Sequence, residues 1–259
     1  MKNIYSKIAE IQQNTQKVAL CTVVNSKGSS PRKACTKMLV WEDGKIFKTI
    51  GGGDLEKKVI ENAQQVIQTQ KAELFEHKLV QDHGMCCGGT VQIFIEPIMN
   101  TKKLYIFGAG HTGKALAQFA QFLDFEITLI DDRIELIDEL NLDNSVHIIE
   151  KAHLIALKEL SFNENTYIAV MTHNHQFDKE IVAYCGKQPH AYLGMIGSQR
   201  KIEMTKKAFS VGEILTDKEM ENIDSPIGLK INAETPEEIA ISVLGKIIEV
   251  KNTNLDNIK

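Results

Sequence analysis

The sequence predicts an α/β protein, in which an N-terminal mixed α+β domain precedes a Rossmann-like domain with a parallel sheet. The first half is rich in strand patterns, whereas the second half alternates short apolar strands with helices, as expected for a parallel sheet flanked by helices. A break in composition falls at residues 96–103, between these two patterns. We therefore expect the two domains to cover residues 1–98 and 102–259.

The first half holds two helices and several strands. Its apolar patterns predict, in chain order, a helix over residues 4–11, a strand over 18–24, strands 38–41 and 46–47, a helix over 55–67, and strands at 74–75 and 91–95. Asp43-Gly44 is a typical turn signal and indicates that the second and third of these strands form a hairpin.

The second half begins with a short apolar strand and a glycine-rich turn. Its predicted elements are strand 104–107, a helix with Leu116, Phe119, Ala120 and Leu123 on one face, strand 127–130, and further strands at 167–171 and 191–196.

Composition excludes several classes of protein. The 259 residues carry a net charge of -4, from 30 basic and 34 acidic side chains, which argues against nonspecific nucleic-acid binding. No apolar signal core opens the chain, and no stretch is long enough to span a membrane. The five cysteines, at 21, 35, 86, 87 and 185, do not form a disulfide framework or a zinc-binding pair, so we expect reduced thiols in the cytoplasm.

The turn after strand 104–107 has the pattern of a dinucleotide-binding loop. Gly108, Gly110 and Gly113 lie between a strand and a helix, and Asp131 follows at the distance of an acid that accepts from a ribose hydroxyl. A Rossmann-like turn that binds another ligand, or none, has the same pattern. His111 either contacts the ligand at the start of the helix or faces solvent.

Polar residues also follow two later strands, at the sheet edge where ligands bind. His173 and His175, with Asp178, could bind a metal, contact a cofactor or cap backbone groups. Ser198 suits a helix N-cap, and Arg200 adds positive charge to the same helix start. No serine–histidine–aspartate or paired-carboxylate set stands out by spacing, so hydrolysis is not indicated.

Three segments of the first half are further candidates. Cys87 precedes Gly88 and Gly89, which indicates a thiolate in a bare loop, although two small buried cysteines beside a turn give the same pattern. Gly51, Gly52 and Gly53 precede a helix and could bind an anion, or form a turn that Asp54 caps. Arg32 could bind a phosphate or lie in an exposed basic loop.

Taken together, these motifs resemble those of the XdhC/CoxI family, accessory proteins that mature xanthine dehydrogenase-type molybdenum hydroxylases. The resemblance covers nearly the whole chain. It rests on residues 28–32 (Gly-Ser-Ser-Pro-Arg), 38–40, 50–56, 87–89 with Glu96-Pro97, the Rossmann turn, 172–175 with Asp178, 194–198 with Arg200 and Lys201, 226–229 and 235–240. Cys35 departs from the pattern, since relatives usually have glycine there.

The resemblance implies a maturation chaperone more than an enzyme. Such a protein binds molybdenum cofactor, a molybdopterin, supports its sulfuration by a cysteine desulfurase, and delivers it to the apo-hydroxylase. Cys87 matches the family's Cys-Gly-Gly, so it is the expected molybdenum contact through the cofactor, and a homodimer is plausible. The alternative is an NAD(P)-dependent oxidoreductase that uses the Rossmann turn, and the ligand of that turn, whether NAD(P), another nucleotide or the pterin, stays open.

Overall fold

The computed structural model describes residues 3–12, 16–27, 33–79, 89–133, 135–136 and 142–256. Contacts divide the chain into two compact units, the first ending at Asn100 and the second beginning at Thr101. The predicted α/β class is confirmed, with an antiparallel sheet in the first unit and a six-stranded parallel sheet in the second. Among the described helices, none has the length and apolar character needed to cross a membrane.

The first unit is a five-stranded sheet with helices. Its elements are α1 (Ile4–Gln12), β1 (Val18–Lys27), β2 (Lys37–Trp41), β3 (Ile46–Phe47), α2 (Gly53–Thr69), β4 (Glu73–Lys78) and β5 (Thr90–Pro97). The strand order is β3-β2-β1-β5-β4, and every neighbouring pair is antiparallel.

Side-chain alternation along the strands sends apolar residues to both faces of this sheet. Cys21 and Met38 belong to the core cluster that contains the buried face of α2, whereas Val18 and Leu39 cluster with Ile4 from α1. Strand β4 is longer than residues 74–75 predicted, because it pairs with β5 along six residue pairs. Its charged side chains hide it from an apolar pattern, as is common for an edge strand.

The second unit is doubly wound. Its elements are β6 (Lys103–Phe107), α3 (His111–Ala120), β7 (Glu126–Asp131), β8 (His147–Glu150), α4 (His153–Ala156), β9 (Thr166–Val170), α5 (His175–Cys185), β10 (Tyr192–Met195), α6 (Gln199–Val211), α7 (Asp217–Glu221), β11 (Ile223–Asp224) and α8 (Pro236–Asp256).

The strand order is β11-β10-β9-β6-β7-β8. From β6 the chain adds β7 and β8 on one side and then β9, β10 and β11 on the other, so the direction in which strands are added reverses between β6 and β9. One face of the sheet is covered by α3 and α8, through residues such as Leu116 and Val243, and the other by α5 and α6, through Val182 and Ile202. In open α/β sheets the crevice at such a reversal, outside the carboxyl ends of the strands, is where ligands bind.

Candidate functional site

Three glycines shape the turn from β6 to α3, and each has a different role. Gly108 has φ +111°, and a Cβ there would lie 2.4 Å from the Met171 carbonyl oxygen. A Cβ on Gly113 would lie 1.8 Å from the Gly108 carbonyl oxygen, so that position needs glycine for the helix to approach the strand. Gly110 has no atom within 4 Å of the place of a Cβ, which leaves the start of α3 open to a ligand.

The N-terminus of α3 opens onto a cavity of about 490 Å³. Gly110 is the N-cap and offers no side chain, so the first amides of the helix, which have no partner within the helix itself, are not capped by a side chain. His111 is the first helical residue and is exposed. The cavity is lined by residues 109–114, Arg133, Leu136, Met171, Thr172, His173, Ile196 and Pro236. These residues come from the carboxyl edge of the sheet and from the start of α8.

Asp131, the predicted ribose acceptor, is committed to protein groups. Its Oδ2 accepts from the Ala109 amide at 2.6 Å and from Arg133 Nη2 at 2.6 Å, and its Oδ1 accepts from the Arg133 amide at 3.1 Å and Nε at 2.8 Å. The side chain is 0% exposed, against 27% for Arg133. Burial alone would raise the pKa of Asp131, but the hydrogen bonds from Arg133 and the two amides outweigh burial and lower that pKa to about 2.

The two histidines after β9 lie in different places. His173 lines the cavity and contacts the ring of Phe177. His175 turns to α6, where its Nε2 lies 3.1 Å from Thr205 Oγ1. Asn174 between them is the N-cap of α5, and its side chain accepts from the Gln176 amide. Sequence reasoning did not single out this asparagine.

The Asp178 side chain makes its hydrogen bonds to Thr172 in the loop after β9, and not to the histidines of that loop. Its Oδ1 accepts from the amide and hydroxyl of Thr172, at 3.0 and 2.7 Å, whereas its Oδ2 is 3.7 Å from His175 Nδ1. Burial raises the pKa of Asp178. Within the described ranges, no group of three or more histidine, cysteine, aspartate or glutamate side chains is arranged to hold a metal ion.

A buried histidine that the sequence did not reveal lies beyond this loop. His153 contacts the rings of Phe107 and Phe177, and its Nε2 is buried with no hydrogen-bond partner among the described residues. Burial lowers the pKa of His153.

Ser198 and Arg200 are exposed at the start of α6. Ser198 is the N-cap, as predicted, but its side chain makes no capping hydrogen bond. A second cavity of about 290 Å³ adjoins the first, since Ile196 lines both. It is formed by Gly197, Gln199 and residues 226–233, with Ile239 and Ser242, and neither Ser198 nor Arg200 is among its lining residues.

In the first unit, the glycine loop before α2 is filled by a carboxylate of the chain. Gly51, Gly52 and Gly53 all have positive φ, at 139°, 79° and 68°. Glu56 Oε2 accepts from the Ile50 and Gly52 amides, each at 3.2 Å, and from the Thr49 hydroxyl. The loop amides therefore donate to Glu56, a carboxylate of the chain itself, and the start of α2 has no side-chain cap, so the alternative of a cap by Asp54 is wrong.

Of the remaining predicted residues, Arg32, Cys87 and Gly88 lie outside the described residues. Gly89 accepts a hydrogen bond from the Leu79 amide at 2.9 Å through its carbonyl. Cys35 is exposed and has φ +68°, a left-handed conformation that favours glycine.

Both units match the sequence pattern of a known protein family. Residues 104–247 match the XdhC Rossmann domain, and residues 11–78 match the XdhC and CoxI family. The chain is 34% identical over 255 residues to the uncharacterized protein YqeB of Escherichia coli (strain K12), a match that covers 96% of this chain and 46% of that protein. It is 31% identical over 162 residues to a probable xanthine dehydrogenase subunit of Bacillus subtilis (strain 168), covering 62% of this chain and 47% of the relative.

The chain thus spans about half the length of the curated relatives it matches. Its fold is similar to that of a crystal structure of a xanthine dehydrogenase from Bacillus halodurans, with a TM-score of 0.53 at 21% identity over 97% of this chain and 96% of the other. At 21% identity, this similarity shows that the two proteins share a fold.

Proposed function

We propose that this chain, which belongs to the XdhC and CoxI family, is an accessory protein of a xanthine dehydrogenase-type molybdenum hydroxylase. In this role it binds molybdenum cofactor, supports its sulfuration by a cysteine desulfurase, and delivers it to the apo-hydroxylase. The observation that carries the proposal is that family matches fall on both units, at residues 11–78 and 104–247.

The crevice of the second unit has a donor set that fits the phosphate of a molybdopterin. The start of α3 presents backbone amides, Gly110 leaves the approach open, and Arg133 and Lys114 line the same cavity. The loop at Gly51–Gly53 fits less well, because Glu56 already accepts from its amides. We therefore assign the phosphate to the crevice.

When bound, the cofactor supplies molybdenum on a dithiolene, for which a thiolate is a better ligand than a hard oxygen group. Cys87 is the residue that we propose for this contact, on its match to the family's Cys-Gly-Gly. The crevice residues would bind and orient the phosphorylated end, and His111 and His173 line the same cavity.

Anaerobic reconstitution tests the proposal. The 259-residue chain is incubated with molybdenum cofactor, and molybdenum retained per chain is measured after gel filtration. We expect stoichiometric retention that falls severalfold in Cys87→Ala and much less in the matched variant Cys86→Ala. Transfer is then followed as the gain in activity of an apo-hydroxylase. Full retention and full activation by Cys87→Ala would remove the thiolate from the mechanism.

A second function is favoured by the Rossmann crevice, namely an NAD(P)-dependent oxidoreductase. Titration with NADH and NADPH, followed by nicotinamide fluorescence, discriminates the two proposals. Saturable nicotinamide binding without molybdenum retention would favour the oxidoreductase. Light scattering of the same samples tests the proposed homodimer.

A further inference from the structure

We propose that Arg133, rather than Asp131, is the residue that the crevice of the second unit presents to its ligand, and that it binds a phosphate group. Asp131 is then a positioning residue that fixes the guanidinium. This inference deepens the proposed function and rests on it only in treating the crevice as a ligand site.

Asp131 has no acceptor capacity left for a ribose. An ionised carboxylate offers about four lone-pair sites. Here four donors use them, namely the amides of Ala109 and Arg133 and the Nε and Nη2 groups of Arg133, at 2.6 to 3.1 Å. With the side chain 0% exposed, a vicinal diol could reach the carboxylate only by displacing Arg133.

The same contacts orient Arg133. The guanidinium is planar and carries five N–H donors in a rigid fork, so fixing one edge fixes the direction of the other. The Nε and Nη2 edge is held by Asp131, and within the described part of the chain Nη1 donates to no protein group. The side chain is 27% exposed and lines the cavity. Its remaining edge, Nη1 with the second Nη2 hydrogen, has the geometry for a bidentate phosphate contact.

The charges of the cavity favour an anion. Its described lining contains the basic side chains of Arg133 and Lys114 and no aspartate or glutamate, although Arg133 is paired with Asp131 behind the cavity. Asp132 and Glu135 act on Arg133 only from a distance, through Coulomb interactions. A phosphate that reaches Arg133 therefore accepts a charge-assisted, bidentate contact, whereas a neutral diol accepts only an uncharged and weaker one.

Two sources supply such a group, a nucleotide with a 2′-phosphate and a phosphorylated pterin. The test uses two pairs of probes that differ only in the phosphate, NADPH against NADH, and 6-phosphomethylpterin against 6-hydroxymethylpterin. Binding is measured by fluorescence titration of the full chain. We expect the phosphorylated member of at least one pair to bind about tenfold tighter or more. The pair in which the phosphorylated probe binds more tightly shows whether the phosphate belongs to a nucleotide or to a pterin.

Variants of Arg133 test whether this residue causes the preference for the phosphorylated probe. In Arg133→Gln we expect the two members of the pair to bind within about threefold of each other, and in Arg133→Lys part of the preference to return, because a point charge replaces the fork. Lys207→Gln, an exposed change on α6 of the same unit, should keep the full preference. Circular dichroism establishes that each variant is folded.

Four outcomes would overturn the inference. The first three are equal binding of both members of each pair, discrimination that persists in folded Arg133→Gln, and a selective loss of NADH binding in Asp131→Asn, which would return the ribose contact to the acid. Absence of binding for all four probes would also overturn it. Because molybdenum retention through Cys87 is measured separately, that result would leave the proposed accessory function standing.

Discussion

Replacing Asp131 by asparagine should remove a pH-dependent contribution to the stability of the second unit. The folded state lowers the pKa of this carboxyl from 3.8 to about 2, and one pKa unit corresponds to about 1.36 kcal/mol. The ionised side chain therefore stabilises the folded state by about 2 kcal/mol near neutral pH.

The sign follows from the direction of the shift. A carboxyl whose folded pKa is depressed stabilises the protein above its unfolded pKa and loses that contribution as the pH falls through the folded value. For Asp131 the stabilisation is complete above about pH 5, has decreased by about 1 kcal/mol at pH 3, and is lost below pH 2.

Urea unfolding at pH 6, 4 and 3 measures this effect. Hydrogen exchange of peptides from β6 and β7 reports the second unit, whereas the fluorescence of Trp41, the single tryptophan, reports the first. The free energy of unfolding of Asp131→Asn should be lower than that of the wild type by about 2 kcal/mol at pH 6, and the gap should narrow towards pH 3.

Asp124→Asn is the matched control, because that side chain is 97% exposed and lies in the same unit. The free energy of unfolding of this variant should stay within about 0.5 kcal/mol of the wild type, as for most exposed substitutions. A gap for Asp131→Asn that stays constant from pH 6 to pH 3 would refute the reasoning, since the stabilisation would then come from shape rather than from ionisation.

Three further results are expected. Gly113→Ala should destabilise the second unit by at least about 3 kcal/mol in urea unfolding, because its Cβ would lie 1.8 Å from a backbone oxygen. In Gly110→Ala the new Cβ meets no atom within 4 Å, so this variant should fold normally and weaken only phosphate binding, as measured by titration. In the folded variant in which Cys86 and Cys87 are replaced by alanine, Ellman's reagent should modify the exposed Cys35 rapidly and leave Cys21 unmodified. Cys21 is buried, and burial raises its pKa to about 12. Glu56→Gln should lower the stability of the first unit by about 1–3 kcal/mol, followed by tryptophan fluorescence, because a neutral amide is a weaker acceptor for the loop amides.

Local pattern was sufficient for most of the fold. The elements around the Rossmann turn could be predicted because strand, glycines and helix are consecutive in the sequence, and Gly113 has a local steric reason, since its Cβ would lie 1.8 Å from the Gly108 carbonyl oxygen. Strand β4 was only partly predicted, since an edge strand made of Glu73, Glu76 and Lys78 has no apolar signature and is fixed by pairing with β5. The strand order depends on long-range contacts that no window of sequence contains.

The candidate site was predicted less fully, because hydrogen-bond partners within a loop depend on the path of the backbone. Spacing placed an acid at the end of β7, but only the structure shows that Arg133, two residues later, folds back onto Asp131. The signal in the sequence was a cation directly after the acidic pair Asp131-Asp132. Likewise, His173 and His175 share one motif but face different surroundings, because α5 begins between them.

The two glycine loops differ in what a phosphate would have to displace. At Gly51–Gly53, a phosphate competes with Glu56, which lies in the first turn of α2 and already accepts from two amides. At the start of α3 the nearby carboxylate, Asp131, accepts from the Ala109 amide and Arg133 and, among the described residues, from no amide of the helix, so a ligand can use the helix amides without displacing it. Glu56→Gln should therefore change the stability of the first unit and leave the phosphate preference at Arg133 unaltered.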